Sequence, residues 1–351
     1  MKIDPDARTG REPLVSRRAI EEGSLIPRRD GASYPIPETL NLTLVAAQMT
    51  AAFALLAVGA HTNSVAYTVL LAVAFAFVMQ MGFCLAHEAV HGKLHRRKKV
   101  NAGLGILLFA LFPGSFHFFE IAHLLHHKRN RSDAELEDYV MPTEIPWQKR
   151  VAYYFLICGF FWFLIPLASI LIAMIPRRTI RIPAPGEDAG VFRRFLQFLN
   201  GVSPGRMRRD LFVTAAVWVA AELVFHFSLR NLAVFYAAFG FSWASQQYIY
   251  HVRTPRHAVL GAYDLRLWRP MEWLYLYFNY HLTHHLAVWV PWIYLPGVAA
   301  GRPTRGYLAT YFDLWRPPQP VEEAFPSQFQ ASGPLPPRGH DSDVLTGNDF
   351  V

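Results

Sequence analysis

The chain has 351 residues, of which 52% are hydrophobic, 15% aromatic and only 17% charged. This composition, with its positive mean hydropathy, excludes an ordinary soluble protein and indicates a polytopic membrane protein, because several apolar runs reach the roughly 20 residues that cross a bilayer. The formal charge of +8 does not indicate nucleic-acid binding, since the Lys and Arg residues cluster at the ends of the apolar runs.

The cysteine content and the N-terminus restrict the protein further. Cys84 and Cys158 both lie inside apolar runs, which argues against a disulfide framework and against a cysteine-ligated iron–sulfur centre. The first 30 residues lack the order of a signal peptide, so we expect no cleaved leader. Residues 1–37, with paired arginines among Pro and Gly, are predicted to form a cytoplasmic arm near anionic headgroups.

The first two apolar runs predict a helical hairpin. They extend over residues 40–60 and 65–86, and the short uncharged link 61–64 places their turn away from the cytoplasm. The second run leads directly into His87-Glu88-Ala89-Val90-His91, here called box one. Arg96, Arg97, Lys98 and Lys99 follow, so the positive-inside rule places this end in the cytoplasm.

Box one holds two histidines at positions i and i+4, which share one face of a helix. His95 continues the same spacing, although a solvated position is the favoured interpretation there. The next apolar segment, residues 104–119, contains Pro113 and is too short to cross, so we expect it to lie in the membrane interface. Box two, His123-Leu124-Leu125-His126-His127, then stays on the same side as box one.

An acidic stretch follows box two. Carboxylates commonly accept the second ring N–H of a metal-bound histidine, so Asp133 is a candidate for that role. A solvated acidic loop is an equally open interpretation.

Residues 151–175 form an apolar run with basic residues on both sides, and Pro166 interrupts it. This pattern favours a re-entrant or interfacial helical pair over a crossing. Residues 211–229 and 232–250 then predict a second hairpin that turns at Arg230-Asn231. With four crossings every histidine box and both termini are cytoplasmic, whereas five crossings would separate box three from the other boxes.

The last histidines follow the second hairpin. His251 stands at the end of the fourth predicted span, where an interface residue and a metal ligand are both open interpretations. Box three, His281-Leu282-Thr283-His284-His285, repeats the spacing of box two, which is expected to aim three imidazoles at one point. We predict a membrane domain over residues 38–300 and a mobile Pro-rich tail over residues 301–351.

The three boxes together predict a metal centre. Neutral imidazole is the commonest metal ligand and suits iron, copper and zinc. One tetrahedral metal takes about four ligands, so eight box histidines suit two metals. An all-histidine pair at a membrane surface suits oxygen activation against an apolar substrate.

The ordered set of boxes on two hairpins resembles the membrane fatty acid desaturase and hydroxylase superfamily over roughly residues 40–300, and box one is most similar to its bacterial branch. The resemblance implies an all-α membrane fold with four transmembrane helices and a cytoplasmic histidine-rich helical cap. It also implies two iron ions, O2 as oxidant, a lipid or fatty acyl substrate and a bacterial inner-membrane location. No donor domain is fused to the predicted membrane domain, so the electrons are expected from a separate ferredoxin or cytochrome b5 type protein with its reductase.

The same resemblance implies roles for three more residues. It makes His251 a ninth ligand, and it places Gln247 where animal acyl-CoA desaturases have an Asn that acts through a water molecule. Asn279, two residues before box three, matches an Asn-x-His pattern of bacterial members.

Several functions fit these residues. Acyl-chain desaturation leads, while hydroxylation or ketolation of a lipid or carotenoid by the same site is the alternative. Box one also matches the His-Glu-x-x-His motif of zinc proteases, in which Glu88 would be the general base. That interpretation assigns no role to boxes two and three. A metal transporter would require polar residues inside the spans, and few are present.

Overall fold

The computed structural model of the chain describes residues 34–133, 135–174 and 201–321. Within these ranges the regular elements are helices, apart from one short two-stranded sheet and two isolated β-bridges. Most of the predicted N-terminal arm, the basic residues 177–181 and residues 322–351 of the predicted tail lie outside the described residues.

The first hairpin consists of helix α1, Glu38–Ala60, and helix α2, Val65–Val90. Ser64 begins α2 by accepting a hydrogen bond from the Tyr67 N–H, so the link between the helices lies where the sequence predicts it. In the part of the chain that the structure describes, α1 and α2 are the two helices long and apolar enough to cross a bilayer. Helix α2 extends past the predicted span and carries His87, while His91 caps its end.

The helices between boxes one and two are α3, Lys98–Ala110, and α4, Phe116–Arg129. The chain bends between them around Pro113, so the predicted apolar segment 104–119 is divided between two helices. Ser115 begins α4 by accepting the Phe118 N–H, and Asp210 accepts hydrogen bonds from both Ser115 Oγ and the His117 N–H. These bonds fix the helix that carries box two.

A helical pair follows, as the sequence predicts, but its break lies elsewhere. It comprises α5, Pro146–Ile157, a 3-10 turn, Phe160–Phe163, and α6, Leu164–Met174. The predicted break at Pro166 is wrong, because a proline is tolerated in the first turn of a helix. The chain turns instead at Gly159, whose φ of +86° and close approach to the backbone of Gly240 admit only glycine.

The second hairpin consists of α7, Pro204–Phe225, and α8, Leu229–Tyr248. The predicted turn at Arg230-Asn231 is wrong, because both residues lie in the first turn of α8. His226 makes the turn in the left-handed conformation, and Ser228 caps α8 by accepting the Asn231 N–H. The Asn231 side chain donates to the carbonyls of Gly59 and Thr62, which joins the turns of the two hairpins.

The remaining elements follow α8. They are α9, Arg269–Leu274; α10, His281–Leu286; a 3-10 turn, Trp292–Tyr294; α11, Leu295–Val298; and α12, Tyr307–Leu314. Strand β2, Gln319–Pro320, pairs in parallel with strand β1, Tyr139–Val140. Both α12 and β2 lie within residues 301–351, for which the sequence predicts a mobile tail. The three buried side chains of α12, Tyr307, Thr310 and Leu314, are too few to stand out as a period in a Pro-rich segment.

Aromatic side chains fill the space between the hairpins. Helix α8 packs along α2, and Phe75 of α2 contacts a cluster on α8 formed by Phe235, Tyr236 and Phe239. Burial of such large rings contributes strongly to the stability of a core. This core places the C-terminal ends of α2 and α8 side by side, and the histidines lie at these ends.

Candidate metal centre

The four histidine-bearing segments meet in one buried region at the ends of α2 and α8. The nine predicted histidines divide into two sets whose ring nitrogens lie within 4.8 Å of one another. The first set contains His87, His91, His123, His127 and His284, and the second contains His126, His251, His281 and His285. Boxes two and three each contribute to both sets, so the expectation that each box aims at one point is wrong.

Close contacts between ring nitrogens define the first set. His123 Nε2 lies 2.9 Å from His91 Nε2 and 3.0 Å from His127 Nε2, and the latter is 3.1 Å from His284 Nε2. Each neutral Nε2 offers one proton or one lone pair, so four such nitrogens form at most two good hydrogen bonds. Three contacts are present, so hydrogen bonding between the rings does not account for the arrangement.

The ring nitrogens of the second set also lie in close contact. His281 Nε2 lies 3.1 Å from His251 Nε2 and 3.3 Å from His285 Nε2. The two sets adjoin, since the ring centroids of His127 and His285 are 4.4 Å apart. A pair of metal positions at this site would therefore be close neighbours.

The nitrogen spacing fits metal coordination. Two imidazole nitrogens bound at about 2.1 Å to one ion and at right angles lie about 3.0 Å apart. The observed contacts of 2.9 to 3.3 Å match that spacing. In addition, His87 Nε2 is buried without a hydrogen-bond partner among the residues the structure describes. A cation between the rings would satisfy this nitrogen and would remove the excess of contacts.

The protonation state of the rings also suits metal binding. Burial, followed by the charges of neighbouring histidines, lowers the pKa well below its usual value for His91, His123, His127, His281, His284 and His285. Burial does the same to the pKa of His251. These imidazoles are neutral at pH 7, which is the form that binds a metal.

His126 and His251 each make a hydrogen bond through Nδ1, which directs Nε2 of the same ring towards the other histidines. Nδ1 of His126 lies 2.7 Å from Glu135 Oε2, and Nδ1 of His251 lies 2.7 Å from the Gly261 carbonyl. Such bonds fix the tautomer and the orientation of a metal-binding ring. Sequence reasoning selected Asp133 from this acidic loop, whereas Asp133 is half exposed and bonds Arg256 instead. The sequence could not show which of Asp133 and Glu135 contacts a histidine, because side-chain directions in an irregular loop do not follow from residue spacing.

A compact loop holds the Gly261 carbonyl in place. Asn130 Nδ2, at the end of α4, donates to the carbonyls of Gly261 and Ala258 at 3.1 and 2.9 Å. Arg131 is buried, pairs with Asp138 and donates to the Thr254 carbonyl. Loop 251–261, which begins at His251, is thus joined to the end of box two.

Box three is held by a partly buried carboxylate. Asp264 accepts hydrogen bonds from the Thr283 N–H at 2.9 Å and from Thr283 Oγ1 at 2.5 Å. Burial raises the pKa of Asp264, and the bonds from Thr283 oppose that shift. Because Thr283 lies in α10 between His281 and His284, this carboxylate fixes the helix that carries both rings.

The remaining predicted residues occupy different positions. Asn279 is fully buried and donates to the Leu265 carbonyl and to Glu272, so it contacts the backbone before box three. Gln247 lies one turn before His251, and its Nε2 is buried without a partner among the described residues. His95 lies apart from both sets and pairs with Glu38 at 3.1 Å.

The surroundings of Glu88 do not suit a proteolytic base. Glu88 is buried, its Oε2 accepts the Trp292 N–H at 3.1 Å, and its Oε1 lies 3.8 Å from His87 Nδ1. Trp292 Nε1 in turn donates to Asn41 of α1. This carboxylate joins the segment after box three to box one. Five histidines, not two, meet at the box-one position, which disfavours the zinc-protease interpretation.

An aromatic layer lies directly against the histidines. The Phe278 ring is 5.0 Å from His87 and 4.7 Å from His281, and the Phe119 ring is 5.8 Å from His123. Phe83 packs against both phenylalanines. The layer makes this side of the site apolar.

Comparison with known proteins adds one result. The profile of the family described as fatty acid desaturase matches residues 63–315, which is more than two thirds of the chain and includes all nine histidines. No curated protein matches the chain.

Proposed function

Because the chain belongs to the fatty acid desaturase family and is therefore a desaturase-like enzyme, we propose that it inserts a double bond into the acyl chain of a lipid or fatty acyl substrate. The oxidant is O2, and two electrons come from a separate ferredoxin or cytochrome b5 type donor with its reductase. The reaction removes two hydrogen atoms from adjacent carbons and, with two electrons and two protons, converts O2 to two water molecules. The observation that carries this proposal is the division of nine histidines into two adjoining sets.

The proposed cofactor is a pair of iron ions held by these nine histidines. His87, His91, His123, His127 and His284 would hold one ion, and His126, His251, His281 and His285 the other. Bound iron would supply the activation of O2. Gln247, whose Nε2 is buried and unpaired within the described ranges, is proposed to bind a water molecule beside the second set.

The protein residues orient the substrate and control its surroundings. The layer formed by Phe83, Phe119 and Phe278 excludes water from the hydrocarbon and leaves an acyl chain as the occupant that the site solvates best. Glu135 and the Gly261 carbonyl hold His126 and His251 with Nε2 directed inward. The site is thereby organised before a substrate arrives.

We further propose that α1, α2, α7 and α8 cross a bacterial inner membrane as two hairpins, with the histidines and both termini in the cytoplasm. Helices α7 and α8 have 22 and 20 residues, which is the length of a span. Arg206, Arg208 and Arg209 at the start of α7 suit the cytoplasmic side, as do Lys98 and Lys99 after box one. The membrane domain would cover residues 38–321, with α5 and α6 as the interfacial pair.

Metal counting tests the proposal directly. Purified protein with near two iron ions per chain, reduced in His284→Ala and unchanged in His95→Ala, is the expected result. His95 is the matched control because it lies apart from both sets. One zinc ion per chain that His284→Ala does not change would refute the proposal. Mass spectrometry of lipids from cells that express each variant then distinguishes a product lighter by two hydrogens from a hydroxylated one.

A further inference from the structure

Two short helices, α5 and α12, expose large apolar side chains. On α12, Leu308 and Phe312 are 69% and 71% exposed, one turn apart. On α5, Trp147, Val151 and Phe155 are 64%, 60% and 42% exposed at the same spacing. We call these five residues the anchor face. Water would solvate such stripes poorly, and stripes of this kind mark contact with another apolar phase.

The two stripes belong to one rigid unit. Tyr153 and Tyr154 of α5 donate through their hydroxyl groups to the carbonyls of Leu314 and Trp315 at 2.5 and 3.0 Å. The parallel pairing of β1 with β2 joins the same two parts of the chain. These contacts hold α5 and α12 in a fixed relation to each other.

The packing of α12 against α8 determines the level along α8 at which the anchor face lies. The Trp315 ring stacks on Phe241 of α8 with a centroid distance of 5.8 Å, and Tyr311 Oη donates to Ser245 Oγ at 3.2 Å. Phe241 lies seven residues before the end of α8, or about 10 Å along the helix axis. If α8 crosses the bilayer, α12 lies at the level of the headgroups and the first acyl carbons.

We propose that α12 and α5 form an in-plane membrane anchor whose face contacts the acyl chains of the cytoplasmic leaflet. Helix α12 has eight residues and cannot cross a bilayer, but an amphipathic helix of this kind lies in the interface. Beside this stripe, Arg305, Asp313 and Arg316 lie along an open groove that Phe312 also lines, and both arginines pair with Asp313. Charged groups next to exposed apolar side chains suit the level of the lipid headgroups. The inference rests on the proposed span of α8 and not on the chemistry at the histidines.

The anchor is also connected to the second histidine set. Asp313 of α12 lies 3.6 Å from Arg253, and Tyr263 Oη donates to the Arg253 carbonyl at 3.0 Å. The Arg253 N–H donates to Asp138, the partner of Arg131. Contact of α12 with the leaflet therefore holds loop 251–261, and with it His251, at the membrane surface.

Site-directed fluorescence tests the anchor. Single cysteines replace Leu308, Phe312, Ala309 or Phe241 in a Cys158→Ser background, which also serves as the unlabelled control because Cys84 is buried. Each variant is labelled with an environment-sensitive fluorophore and reconstituted into vesicles of phosphatidylcholine and phosphatidylglycerol. Doxyl-labelled lipid and aqueous iodide are the two quenchers. Ala309 is the matched control, since it is exposed and lies about 100° around α12 from its neighbour Leu308.

The expected result is strong lipid quenching and weak iodide quenching at 308, 312 and 241, with the opposite order at 309. Equal iodide quenching at 308, 312 and 309 would overturn the anchor, and shielding at 241 in the same experiment would show that the span still stands. Shielding of 308 that increases with the protein-to-lipid ratio would also overturn it, in favour of a second copy of the chain. Iron content measured on the same samples reports on the proposed function independently.

Discussion

Substitution of Gly261 by alanine tests how the protein orients His251. A methyl group at this position would lie 2.4 Å from Arg131 Cγ and from the His257 carbonyl oxygen, and 3.0 Å from the Pro255 oxygen. Ordinary contacts of this kind are about 3.5 to 4 Å, so the loop must move by roughly 1 Å. The Gly261 carbonyl would then lose its 2.7 Å bond with His251 Nδ1.

The size of the effect follows from that bond. Removal of the hydrogen bond that orients a metal-binding histidine typically lowers metal affinity about 10- to 100-fold, which corresponds to roughly 1.4 to 2.8 kcal/mol. Because the bond belongs to the second set, Gly261→Ala should release one metal per chain at a chelator concentration that leaves the other bound. The assay is iron content per chain after dialysis against increasing chelator, with the thermal unfolding midpoint measured in parallel.

The control is Gly103→Ala on α3, where a methyl group would meet open space. It should retain the metal content and the unfolding midpoint of the wild type. Wild-type retention of both metals in Gly261→Ala would refute the reasoning. Parallel loss of both metals with a large drop in the unfolding midpoint would show that Gly261 supports the fold and not the orientation of His251.

Three further predictions concern the surroundings of the histidines. Glu135→Gln should weaken the retention of one metal ion about tenfold in the same chelator titration, because a neutral amide is a poorer acceptor for the His126 Nδ1–H. The control Asp133→Asn should retain both metal ions, since Asp133 bonds Arg256. Glu88→Gln should keep iron and lipid product, since its amide oxygen still accepts the Trp292 N–H, whereas loss of a proteolytic activity in this variant would favour a zinc protease. Metal-free protein should lose stability as the pH falls below about 6.5, because the unfolded chain binds protons that the folded histidines of lowered pKa exclude. The loss in the free energy of unfolding is up to roughly 1.4 kcal/mol per pH unit for each such histidine. Denaturant unfolding between pH 5 and 8 measures this loss, and a free energy of unfolding that does not change with pH would contradict the prediction.

Local features of the fold could be predicted from the sequence, because each depends on a short stretch of chain. The first hairpin was placed nearly to the residue, because apolar length and the polar link 61–64 are properties of the sequence itself. The turns at Gly159 and His226 were misplaced, since Pro166 and Arg230-Asn231 look like breaks in isolation. Packing of Gly159 on Gly240, and capping of α8 by Ser228, decided the actual positions.

The candidate site divides in the same way. Helical geometry fixes the spacing within each box, so the sequence alone indicated the eight box histidines, and the family resemblance added His251. Only the tertiary structure decided that His126 leaves His123 and His127 to join His251, and that His284 separates from His281 and His285. It also decided that Glu135, and not Asp133, supports the site. The physical reason is that a ring belongs to the set that its neighbours on other helices complete, and the packing of α2, α4, α8 and α10 determines those neighbours.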